Sequence, residues 1–66
     1  MDKYYVNNNP QTTGEHEVHT GSSRYLPGDR KYLGEFGSCH GAVKEAKKTY
    51  PKSDGCYYCC NECHNR

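Results

Sequence analysis

Tryptophan and isoleucine are missing from this chain of 66 residues, and methionine and phenylalanine occur once each. With the seven tyrosines and five cysteines set aside, the apolar side chains are Met1, Val6, Val18, Leu26, Leu33, Phe36, Ala42, Val43 and Ala46. So little aliphatic material excludes a two-domain protein and a large enclosed substrate pocket, because a short chain buries too little surface to wall one off. No apolar run approaches the roughly 20 residues that a bilayer span requires. A surplus of one charge is missing as well: nine Lys and Arg against eight Asp and Glu give a formal charge of +1. Charged disordered tails and nucleic-acid binders both carry a net charge well away from zero, so the balance weighs against each. At a mean hydropathy of −1.22, what remains is a disordered chain or one small domain held by tyrosine packing and by whatever the cysteines do.

The N-terminus, Met1-Asp2-Lys3-Tyr4-Tyr5-Val6-Asn7, has no basic stretch followed by an apolar run, so it does not read as a signal peptide. A cytoplasmic location is therefore expected. Thiols stay reduced there, which favours metal ligation or redox chemistry over structural disulfides. Five cysteines also leave one over in any full pairing scheme.

Three strand signals come first. Residues 3–7 centre on Tyr4-Tyr5-Val6, aromatic and β-branched side chains that suit a pleated surface. After a Pro- and Gly-punctuated loop, residues 15–20 alternate, with His16, Val18 and Thr20 on one face and Glu15, Glu17 and His19 on the other. On this pattern His16 is expected to face inward and His19 to lie on the surface. A loop over 21–30 contains the turn signal Leu26-Pro27-Gly28-Asp29. Residues 31–36 form the third strand, with Tyr32 and Phe36 on one face, Leu33 on the other, and Gly34 marking a bulge.

A helix follows over 38–50. Ser38 is a competent N-cap, and Cys39, Ala42, Val43, Ala46 and Tyr50 recur at spacings of three and four, one apolar stripe. Gly41 weakens it by up to about 1 kcal/mol relative to alanine. Pro51 ends it, because the residue before a proline avoids helical geometry. The expected architecture is α+β: one domain over 1–66, a three-stranded antiparallel sheet (3–36) packed against one helix (38–50), with a cysteine-rich tail (54–64) folded back on it.

The tail, Cys56-Tyr57-Tyr58-Cys59-Cys60-Asn61-Glu62-Cys63-His64, holds the densest chemistry. Two Cys-x-x-Cys pairs, Cys56/Cys59 and Cys60/Cys63, have the spacing that lets both sulfurs of one tight turn face a single ion. Cys59 and Cys60 are neighbours and point apart, so one of them is excluded from a mononuclear site. Cys39 lies within reach. A helix from 39 to 50 is about 18 Å long, and five or six extended residues cover about 17–20 Å, so the tail can return to the helix N-terminus. The favoured set is Cys39, Cys56, Cys59 and Cys63 around a structural zinc, with Cys60, His64 and His40 as substitutes. Disulfides, or reduced thiols buried as small hydrophobes, remain open alongside it.

Other constellations carry less. Cys56-x-x-Cys59 also has dithiol oxidoreductase spacing, which would require a depressed thiol pKa at Cys56. Cys39-His40 makes a poor nucleophile–base pair, because adjacent helical residues project about 100° apart. His16-Glu17-Val18-His19 is one residue short of the zinc-protease pattern and sits on a strand.

Tyr32-Leu33-Gly34-Glu35-Phe36 followed by Ala42-Val43 and Ala46 resembles the strand–helix junction of two DNA-binding families, the plant ethylene-response-type domain and the arm-binding domain of phage-type integrases. The resemblance covers 32–46. It implies three antiparallel strands with a helix across them, and DNA contact through the exposed sheet face. That face here offers Tyr, His and Glu in place of rows of arginine. The whole chain also looks like small bacterial proteins of unknown function that end in a cysteine-rich Cys-His tail. The expected function is a non-catalytic interaction module, monomeric, with an unspecified protein partner and no membrane. DNA binding through the sheet, and a thiol redox or metal-handling role, are the alternatives.

Overall fold

The computed structural model describes residues 1–65. Strand β1 (Asp2–Asn7) is flanked by β2 (His16–Thr20) and β3 (Arg30–Phe36), both antiparallel to it. Helix α1 (Cys39–Ala46) follows, then β4 (Ser53–Gly55) and a 3-10 turn (Asn61–Cys63). The sheet is therefore four-stranded and mixed, in the order β3-β1-β2-β4, with β4 parallel to β2. This corrects the three-stranded antiparallel expectation. Ser53-Asp54-Gly55 has no β-branched or aromatic residue and no alternation, so local propensity does not announce a strand. Its pairing comes from the β2 backbone instead: the His16 and Cys56 amides donate to the Lys52 and Val18 carbonyls.

One face of the sheet packs on α1. Tyr4, Val6, Val18 and Leu33 join Cys39, Ala42, Val43 and Ala46 from the helix, and Cys60 and Cys63 complete the cluster. The bulge expected near Gly34 is present. Tyr4 pairs with Gly34 but Tyr5 with Tyr32, so β3 carries one extra residue at Leu33. A bulge places neighbouring side chains on the same side. Leu33 and Phe36 accordingly share the helix face, while Tyr32 turns to the other face and packs on Tyr5 at 5.2 Å between ring centroids. The expected division, Tyr32 with Phe36 against Leu33, is thereby reversed.

The helix is shorter than its stripe. It ends at Ala46, and the Lys48 and Thr49 amides bond back to Glu45 and Ala46 in tightened turns. Pro51 disfavours a helical backbone at Tyr50, so the helix closes before it. Tyr50 still reaches the core, stacked on His16 at 3.8 Å with its hydroxyl donating to Asn8. Gly41 proves to be a contact point: a Cβ there would sit 2.9 Å from the Phe36 ring. Among the described residues, no helix is long and apolar enough to cross a membrane.

Candidate metal centre

The tail does return to the helix N-terminus, as the reach argument requires, and there Cys63 is joined to Cys39 by a disulfide. Cys56, Cys59 and Cys60 are free thiols. The return path is tight. A Cβ on Gly55 would lie 2.5 Å from the Cys60 carbonyl oxygen and 2.7 Å from the Cys63 Cβ, so only glycine lets the tail fold directly over the end of β4. The Cys60 amide donates to Cys56 and the Cys63 amide to Cys60, winding the tail into successive turns.

These turns sort the expected ligands into two places. Cys56 and Cys59 converge on His19, with the three donor atoms within 4.8 Å of one another. Cys39 and Cys63 form the other group, with His40, again within 4.8 Å. The favoured quartet is thus divided between two sites, and its two halves do not meet at one point. Among the substitutes, His40 belongs to the second group. Cys60 is buried in the helix-side core beside Cys63, with its thiol hydrogen-bonded to that of Cys59. His64 is committed elsewhere: Nδ1 is 3.0 Å from the Gly55 carbonyl and 3.5 Å from the buried Asp54 carboxylate.

His19 is the ligand that the strand pattern misplaced. It lies on the face opposite Val18, as the alternation indicates, but only 2% of it is exposed. That face is not open to solvent, because the tail and the 21–29 loop close over it: the Ser23 hydroxyl and the Thr20 backbone bond Cys59, and Tyr25 stacks on Tyr58 at 4.6 Å. The signal available in the sequence was Glu17-x-His19, a carboxylate and an imidazole on one strand face. In the fold, His19 Nδ1 is 3.6 Å from Cys59 Sγ, and Nε2 is 3.5 Å from the Glu17 carboxylate. A carboxylate on the far nitrogen fixes the tautomer that keeps the near nitrogen's lone pair free, the usual support of a metal-bound histidine.

The local electrostatics suit this arrangement. Burial pushes the His19 pKa down, against a smaller upward pull from Glu17, which favours the neutral imidazole that a metal requires. Burial acts to raise all three thiols. At Cys59 it is outweighed by hydrogen bonds from Ser23, the Thr20 backbone, Cys56 and Cys60, and its pKa falls. Burial dominates at Cys56, which is raised, and at Cys60, which is pushed up to about 12 by burial and by the neighbouring Cys59 charge. The cluster is one favoured thiolate with two thiols donating to it. The depressed thiol that a dithiol oxidoreductase would need at Cys56 lies at Cys59.

On the same sheet face, farther from the tail, Tyr5 and Tyr32 pair and the Arg30 guanidinium sits 5.1 Å over the Tyr5 ring. Comparison with protein-family models, curated proteins and solved structures found no match to this chain.

Proposed function

We propose that this protein is a small, non-catalytic interaction module in which one structural zinc, held by His19, Cys56 and Cys59, fixes the tyrosine-bearing turn between the two cysteines. The observation that carries the reading is the convergence of those three donors within 4.8 Å, with Glu17 on the far nitrogen of His19. Two thiolates and a neutral imidazole are zinc's preferred donors. Cys60 points into the helix-side core, so the fourth position falls to water.

The turn that such an ion would fix spans Tyr57 and Tyr58, which are 55% and 68% exposed. With Tyr25 stacked on Tyr58 and Tyr57 set edge-on to it, the turn presents a rigid aromatic surface beside the ion. Tyrosine gives large contact area at low entropic cost, which is why it is enriched where proteins meet. The zinc in this reading is architectural: it orders a contact surface and performs no reaction.

Metal analysis of the intact chain, purified metal-replete with the Cys39–Cys63 bond formed so that no thiol of the clamp contributes, is expected to give about one zinc per chain through this centre. Absence of zinc from folded protein of this kind, or zinc retained in the folded Cys56→Ser/Cys59→Ser variant, would overturn the reading.

A further inference from the structure

The second donor group has two chemical states open to it, and only one of them is a disulfide. Cys39 is the first residue of α1 and Cys63 the last of the 3-10 turn, both nearly buried, while His40 beside them is exposed. Their donor atoms lie within 4.8 Å of one another. The Ser38 hydroxyl is 3.4 Å from His40 Nδ1 and steadies the ring. A cleft of about 360 Å³ opens onto His40, Cys63 and Glu62, with Lys44 and Lys47 along its wall. The group thus borders an open cleft through His40 and Cys63.

We propose that the Cys39–Cys63 pair, together with His40, is a redox-gated second metal site: a disulfide when oxidised, and a site for one divalent zinc when reduced. The chemistry balances with a dithiol as the named co-reactant. The dithiol gives two electrons and two protons to the Cys39–Cys63 bond, which breaks into two thiols while the dithiol closes to its own disulfide. Zinc then displaces the two thiol protons and takes His40 as a third ligand, with water in the fourth position. Cys39 is the first residue of α1, where the helix dipole favours a thiolate. Two thiolates on one tetrahedral zinc sit about 3.8 Å apart, so the tail needs to move little from a position where the Cα atoms are 6.3 Å apart. Either state pins Cys63 to the helix, and the clamp opens only when the pair is both reduced and metal-free.

This site is independent of the centre at His19, and its test is built to keep the two apart. In the Cys56→Ser/Cys59→Ser variant the first centre is gone. Cobalt(II), read by its thiolate charge-transfer absorption, should not bind this variant when oxidised. After reduction with a trialkylphosphine and removal of the reagent, about one cobalt per chain should bind. Adding His40→Ala should lower that affinity by about tenfold or more. Should the variant fail to fold, the intact chain serves: its cobalt stoichiometry should rise by about one on reduction, and the Cys39→Ser/Cys63→Ser variant should show no rise. The proposal is overturned by no uptake in the reduced form, by equal uptake in oxidised and reduced forms, or by an affinity indifferent to His40.

Discussion

Replacing both clamp cysteines, Cys39→Ala/Cys63→Ala, should take away most of this protein's stability. The bond joins residues 24 apart in sequence. Freeing a loop of that length in the unfolded chain returns conformational entropy worth about 3.5 kcal/mol near room temperature. A chain this size holds roughly 3–10 kcal/mol in total, and its shortage of aliphatic side chains places it toward the lower end. At about 4–8 °C per kcal/mol for a domain of this size, the melting temperature should fall by about 15–25 °C. Thermal unfolding followed by circular dichroism, with a chelator present so that no metal substitutes for the bond, measures this directly. The same fall should appear when the unmodified chain is reduced under chelation. A loss below about 1 kcal/mol, or indifference to reductant, would refute the inference that the tail is a covalent clamp on the helix.

Three further outcomes follow from the same geometry. Glu17→Gln should weaken zinc binding at His19, Cys56 and Cys59 by about 10–100-fold, because the imidazole loses its orienting carboxylate; competition with a chromogenic chelator measures it, and an unchanged affinity would remove Glu17 from the centre. Gly55→Ala forces a Cβ to within 2.5 Å of the Cys60 carbonyl and should cost about 1–3 kcal/mol by urea denaturation, whereas a neutral result would mean that the tail does not cross β4 there. Burial, helped by the neighbouring Cys60, Asp2, Cys59 and Glu62, raises the Tyr4 pKa above 10.0. The neutral phenol is thus favoured by folding, and its contribution is complete below that pH and lost as pH climbs past it. Tyr4→Phe should flatten the alkaline loss of stability, and an unaltered alkaline limb would count against the burial of that hydroxyl.

Much of the secondary structure was legible because it depends on neighbours in sequence. The Tyr4-Tyr5-Val6 run, the alternation around Val18 and the Cys39, Ala42, Val43 and Ala46 stripe each specify an element from local pattern. Ser53-Asp54-Gly55 was not legible, since it is a strand only because β2 offers an unpaired edge. The face of Tyr32 is not legible for a related reason: the bulge at Leu33 is fixed by pairing with β1 and shifts every side chain beyond it. The candidate site divides the same way. Its cysteines are evident from spacing, but the burial of His19 depends on the tail and the 21–29 loop, both remote from it in local pattern.

Composition alone determined that so few aliphatic side chains would need help from the tyrosines and the cysteine tail, and chain reach alone brought that tail back to Cys39. Which sulfur met which partner was left to the tertiary structure. Cys-x-x-Cys spacing treats Cys56/Cys59 and Cys60/Cys63 alike, and only the path over Gly55 sends the first pair to His19 and Cys63 to the helix. Spacing fixes how far apart two side chains can be, whereas the choice among reachable partners depends on which faces the packed backbone turns toward each other.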